Sequence, residues 1–235
     1  MNGAPLAFNG KAPRKPLLLL KAIIALGETG IPVHALVDAL WPDEEGDSGR
    51  KSLDVTIARL RKLLGRHDVI VVGDEIVSLN LKLCWTDARS FLEFDDASSS
   101  PKDSDDASRR AFLLYAGVFL PADVEAHWSW KRREQLRSRF VRLVESVGQA
   151  LEAAGRWSDA ITHYHAGLEA DDLAEIFHQG LMRCYRALGR HAEAMSAYRR
   201  LRQTLSVTLG IAPSQQSQAF ARALQQESQG SDTTG

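Results

Sequence analysis

The chain has 235 residues, 44% apolar and 25% charged, which allows two modest domains of ordinary soluble composition. No apolar run approaches the ~20 residues of a membrane-spanning helix, and no basic–apolar–small leader opens the sequence. The formal charge of −1 excludes a uniformly basic nucleic-acid coat, and the isolated Cys84 and Cys184 read as reduced thiols, so the expectation is a cytoplasmic protein with neither disulfide nor cofactor.

In chain order, Pro5–Phe8 is long enough for one short strand. Pro16–Leu26 (PLLLLKAIIAL) is a strongly apolar helix closed by the Gly27–Gly30 turn, and Pro32–Leu40 is a second, shorter helix with proline near its start, where a missing N–H costs nothing. Trp41-Pro42 breaks that helix, and Asp47 or Ser48 can cap a third. Arg50–Leu64 carries the most informative pattern. Leu53, Ile57, Leu60 and Leu64 form an apolar stripe, while Lys51, Val55, Arg59 and Lys62 lie opposite, with Ser52 and Arg66 beside them. A helix apolar behind and basic in front suits a major groove, where cations meet phosphates and guanine edges and a valine touches a thymine methyl. The same pattern also describes a solvated surface helix. Charge is segregated: Met1–Phe94 has 12 Lys/Arg against 12 Asp/Glu, yet Arg50–Arg66 holds six cations against Asp54 alone. A local basic stripe on a neutral body binds phosphate modestly and in a salt-sensitive way.

After Gly65, the runs Val69–Val72 and Ile76–Leu79 around Gly73-Asp74-Glu75 read as a hairpin. Three helices followed by a hairpin is the order of a winged helix-turn-helix, with the third helix in the recognition position. The acidic hairpin tip should be repelled by phosphate and takes no base-reading role. Thr86 or Asp87 caps a short helix through Phe94, which closes a first domain at residues 1–94. Asp95–Asp106 (DDASSSPKDSDD) reads as an acidic, Ser-rich linker. From Ala107 to Glu227 the pattern is helical, and Ser228–Gly235 reads as a frayed polar tail.

The second domain repeats. Gly155-Arg156 and Gly189-Arg190 stand 34 residues apart, as do Ala160 and Ala194, Tyr164 and Tyr198, Leu151 and Tyr185, and Val147 and Leu181. That period, with small residues at helix crossings, is the tetratricopeptide pattern. The helices are expected at Trp128–Ala154, Ser158–Ala170, Ala174–Leu188, Ala192–Leu209 and Ser214–Gln226, with the long first helix, an Ala107–Ala116 helix and the last helix acting as caps. The fold class is mainly α: an α+β winged helix, then an all-α helical-repeat domain.

Nothing points to catalysis or a metal. His163 and His165 are two positions apart and do not face each other on a helix. No Gly-rich phosphate loop, H-E-x-x-H or G-x-S-x-G is present, and no histidine lies near Ser52 and Asp54. Lys131, Arg132, Arg133, Arg137, Arg139 and Arg142 form a second basic patch, either a solvated face or a supplementary DNA or polymerase contact. Trp128 and Trp130 are expected to pack against Phe119 and Leu120.

Arg50–Leu64 resembles the recognition helix of the OmpR/PhoB-type winged helix. Nearly the whole chain is similar, in order, to the bacterial transcriptional activator domain proteins, a class that includes the Streptomyces antibiotic regulatory proteins. The resemblance rests on Arg14-Lys15-Pro16, the DALW of Asp38–Trp41, the ARLRKLLG of Ala58–Gly65, the LYAGVFLP of Leu114–Pro121 and Gly210-Ile211-Ala212-Pro213. It implies a transcriptional activator that binds double-stranded DNA, with RNA polymerase or another protein, or a second copy of the chain, on the helical-repeat domain. Val55 and Arg59 would read base edges, Asp54 would accept from a cytosine amino group, and Lys51, Ser52, Thr56, Lys62 and Arg66 would hold phosphates. The chain departs from the pattern in its acidic wing and in lacking the several strands that usually precede the first helix. It could therefore be the C-terminal piece of a larger regulator of the MalT-like kind, or carry a reduced sheet. A competing reading is a helical-repeat adaptor whose winged helix binds no DNA.

Overall fold

The computed structural model describes residues 12–44, 47–93 and 112–231, with no side chains beyond 227. The expected strand at Pro5–Phe8, the linker and the start of the Ala107 helix fall outside these residues. The chain forms two compact units. Among the described residues, one takes in those up to Leu92 together with Phe119–Leu136, and the other takes in the rest.

The first unit opens with α1 (Arg14–Leu26), whose Leu19, Ala22 and Ile23 are fully buried. β1 (Ile31–Pro32), α2 (Val33–Leu40) and α3 (Asp47–Leu64) follow, then β2 (Ile70–Gly73), β3 (Ile76–Leu79) and α4 (Asp87–Glu93). The strands form an antiparallel sheet ordered β1-β3-β2, with Val77 paired to both Ile31 and Val72. Leu19, Leu36, Leu53, Leu60, Ile70 and Val77 meet in one core, so the apolar stripe of α3 is clamped against α1, α2 and the sheet. Glu28 connects three elements from the turn after α1. It is 1% exposed at φ 70; its N–H donates to Ile23 O, its carbonyl accepts from Leu79 N, and its carboxylate accepts from the Thr86 hydroxyl and faces Arg89. A non-glycine residue in the left-handed region holds there because both backbone groups and the side chain are engaged.

Residues Phe119–Leu136, which lie within the helical stretch read as the second domain, pack with the first unit. Lys21 pairs with Asp123 at 2.6 Å, Arg132 donates to the Ile24 carbonyl at 3.3 Å, and Trp128 packs on the α1 core. Arg133 donates to the carbonyls of Phe119, Leu120, Asp123 and Val124 at 3.0–3.5 Å, closing the loop in which Leu120 adopts φ 51. Trp130 differs from the expected packing. It is 55% exposed and tilts against His127.

The second unit contains most of α5 (Trp130–Ala153), then α6 (Trp157–Ala170), α7 (Glu175–Ala187), α8 (His191–Leu209) and α9 (Gln215–Ser231). The last helix runs on through Ser231, into the stretch expected to be frayed. Each helix from α6 to α9 packs on the next or the one before it. The helix–turn–helix geometry recurs at 34 residues, since α6 and α8 begin at Trp157 and His191. Each is preceded by a left-handed glycine (Gly155 at φ 69, Gly189 at φ 70), and an arginine bridges an acid three positions on in Arg156–Asp159 and Arg190–Glu193. Ala160 and Ala194 are both fully buried. The repeat is imperfect, because Tyr164 is fully buried while Tyr198 is half-buried. Tyr164 lies between Gly148 of α5 and Gly180 of α7, each of which would drive an added Cβ into its ring. Its hydroxyl donates to Glu152 at 2.6 Å, and Glu152 also accepts two bonds from Arg183 at 2.8 Å. Burial, followed by the hydrogen bond to the Glu152 carboxylate, pushes the Tyr164 phenol well above its usual value.

Candidate nucleic-acid interface

The 18 residues of α3 bury Gly49, Leu53, Thr56, Ile57, Leu60 and Leu64. This stripe is wider than the leucine–isoleucine seam, as a helix packed against a sheet and two other helices requires. The other face exposes Lys51, Asp54, Val55, Arg59 and Lys62, with Val55 49% exposed. The side chains of Lys51, Arg59 and Lys62 take part in no hydrogen bond or ion pair among the described residues. From Lys51 to Lys62 the stripe extends ~16 Å along the helix axis at ~1.5 Å per residue. Three free cations around one exposed valine form a surface that can meet phosphates and base edges together.

The remaining candidate residues are placed differently. Thr56 is 5% exposed and its hydroxyl donates to the Ser52 carbonyl at 2.7 Å, so it does not reach the surface; it lies three residues from Leu53 and four from Leu60, inside the wide stripe. Ser52 is half-buried and donates to Glu44 at 2.8 Å. Arg66 lies beyond the helix end, after Gly65 at φ 67, and binds Asp68 at 2.9 Å, which holds the Asp68 carboxyl below its ordinary value. Asp54 is exposed but pairs with Arg50 at 3.4 Å.

Two further cations of the helix are engaged. Arg61 donates to the Ile70 carbonyl through Nη2 at 2.6 Å and Nε at 3.2 Å, tying α3 to β2. Arg50 binds Glu75 of the hairpin tip as well as Asp54, and these contacts raise its already high pKa, the Glu75 hydrogen bond most. Arg50–Asp54 was legible as an i, i+4 pair. Arg50–Glu75 was not, because 25 residues separate the partners. Between α2, the start of α3 and the hairpin lies an open groove of about 780 Å³, whose polar lining is His34, Asp38, Glu44, Asp47, Arg50 and Glu75. The start of α3 therefore lies beside a mainly acidic groove.

The other candidate chemistry is absorbed by packing. His163 is 8% exposed with Nε2 3.0 Å from the Val144 carbonyl, and His165 meets the Tyr185 hydroxyl at 3.2 Å. No group of three or more His, Cys, Asp or Glu among the described residues is placed to hold a metal ion. Burial pushes the Cys184 thiol up to about 12 and raises that of Cys84, the opposite of an activated nucleophile. In the second basic patch Arg132 and Arg133 bind backbone carbonyls, and Arg137 pairs with Asp171 at 2.8 Å. No helix among the described residues is long and apolar enough to cross a membrane.

Three comparisons bear on this arrangement. Over 208 residues the chain is 25% identical to the regulatory protein AfsR of Streptomyces coelicolor, an alignment that spans 86% of this chain and 21% of that protein. The solved structure of Mycobacterium tuberculosis EmbR in complex with a low-affinity phosphopeptide is similar with a TM-score of 0.65 and 23% identity, over 92% of this chain and 60% of that one. At that identity the likeness is one of fold, and the chain spans only part of either relative. Residues 86–225 match the bacterial transcriptional activator domain, beginning one residue before α4 and running into the last helix. That match covers more than half of the chain, and the protein belongs to the bacterial transcriptional activator domain family.

Proposed function

We propose that the protein is a sequence-specific, DNA-binding transcriptional regulator, an activator by its family, whose first unit is a winged helix-turn-helix with α3 entering the major groove. The observation that carries this reading is the exposed, unpaired set Lys51, Val55, Arg59 and Lys62 opposite a buried stripe. Arg59 is the residue for a bidentate guanine contact, Val55 for a thymine methyl, and Lys51 and Lys62 for phosphates. Asp54 and Arg66 join only by exchanging their present partners, and Thr56 takes no part. The second unit, read as a tetratricopeptide-like domain, offers a surface for RNA polymerase, another protein or a second copy of the chain. AfsR is named a regulatory protein, and the family name points to activation of transcription; neither suggests an enzyme.

Selection of bound duplexes from a random pool tests this directly. Enrichment of a defined sequence is expected, and on it Arg59→Ala should lose about 1–3 kcal/mol while Lys62→Ala weakens specific and nonspecific binding alike. The acidic groove at the start of α3 favours a second reading, an interaction module that binds no DNA. A pool without enrichment, together with no duplex binding in titrations at low salt, would favour that alternative.

A further inference from the structure

We infer that Glu75, at the tip of the β2–β3 hairpin, is a built-in competitor for DNA: its carboxylate occupies the Arg50 guanidinium that a phosphate would otherwise engage, and so sets the affinity of the interface. The inference rests on the DNA-binding reading above.

Arg50 lies in the first turn of α3, beside the free Lys51, and its partners Asp54 and Glu75 are 56% and 73% exposed. The hairpin does not need the Glu75 side chain. Its strands are joined by backbone pairing, and the tip is fastened to α2 by the Val33 N–H donating to the Glu75 carbonyl at 2.9 Å. The backbone in fact disfavours a glutamate there. Asp74 and Glu75 sit at φ 50 and φ 60, the two-residue turn that Asn-Gly adopts most readily. A long acidic side chain at a position suited to glycine, reaching back to the first turn of the recognition helix, is explained by the contact it makes with Arg50.

The energetics allow exchange. Exposed ion pairs contribute little to stability and are weakened by salt, so the Arg50 guanidinium is not locked in place. A nearby phosphate must displace Glu75 and also approach a carboxylate of its own sign. Removing that carboxylate should therefore leave Arg50 with only the longer contact to Asp54, open to a phosphate, and remove one repulsion.

Anisotropy titrations of the full chain with a labelled mixed-sequence duplex, over a series of salt concentrations, test this. Glu75→Gln should tighten binding about three- to tenfold at low salt, as expected for gaining a charge contact at a rim. It should also steepen the dependence of log K on log salt by about one unit, for one added phosphate contact. Glu75→Gly should give the same gain, which separates loss of the carboxylate from damage to the turn. In an Arg50→Gln background the gain should vanish. A gain that persists there would make Glu75 a general source of repulsion and overturn the competition. Wild-type binding with no change in Glu75→Gln would overturn this inference alone. No duplex binding by any variant would overturn the proposed function, and the inference with it.

Discussion

Gly148→Ala offers a sensitive test of how the second unit is packed. In an exposed helix the change would stabilise by about 1 kcal/mol, because alanine has the higher helix propensity. Here the added methyl would fall on the ring and hydroxyl of Tyr164, a fully buried side chain. The ring cannot swing aside freely. Gly180 presses on its other edge, and its hydroxyl donates at 2.6 Å to a Glu152 already held by Arg183. Overpacking costs about 1–3 kcal/mol and a disturbed bond to a charged acceptor about 1.5 kcal/mol or more, so a net loss of about 2–3 kcal/mol is expected after the helix gain. Tyr164→Ala alone should cost about 3–5 kcal/mol. In that background Gly148→Ala should be neutral or stabilising, because the methyl then enters the vacated space, giving a coupling of about 3 kcal/mol between the two positions. Urea denaturation followed by circular dichroism, with hydrogen exchange to locate the affected helices, measures all four corners of the cycle. An unchanged penalty in the Tyr164→Ala background would refute the argument that the glycines exist to admit the ring.

Ala194→Phe, at a fully buried position that repeats Ala160, should likewise destabilise the second unit by about 1–3 kcal/mol in thermal melts. Arg133→Ala should cost about 1.5–3 kcal/mol and expose the Phe119–Val124 loop to proteolysis, and lysine should rescue little, since one ammonium cannot reproduce the fork that reaches four carbonyls. His178, 1% exposed, and His165 have pKa values lowered chiefly by burial. The unfolded chain therefore protonates first as pH falls below the ordinary histidine value of 6.5, and the stability present above that pH should be lost as pH drops through the lower folded values; His178→Leu should flatten the profile in pH-dependent melts. With only three free cations on α3, one copy should bind a single half-site near the nonspecific range of about 10⁻⁴–10⁻⁶ M. A tandem site spaced by a whole helical turn should bind much more tightly when two copies are held together, and nanomolar affinity for one half-site would contradict this.

Much of the fold was legible because it depends on local pattern. The leucine and isoleucine spacing in α3 marks its buried side, the Gly73-Asp74-Glu75 break marks the hairpin, and the 34-residue recurrence of Gly-Arg marks both helix turns, since left-handed termini need glycine wherever they occur. Helix ends came within a few residues for the same reason. The burial of Thr56 is also a local feature, as it shares the side of Leu53 and Leu60.

What no periodicity could supply is which charges remain free. Arg50, Arg59, Arg61 and Arg66 look equivalent along the chain, yet Arg61 is taken by a carbonyl nine residues away and Arg50 by a carboxylate 25 residues away. Arg133 looked like part of a basic patch and instead closes a loop through four carbonyls. The sequence by itself determined the order of the helices, the two faces of α3 and the repeat, because these follow from short-range backbone and side-chain periodicity. Only the tertiary structure decided which cations face solvent unpaired, because a guanidinium binds whatever carboxylate or carbonyl the folded chain brings within about 3 Å of it, however distant in sequence.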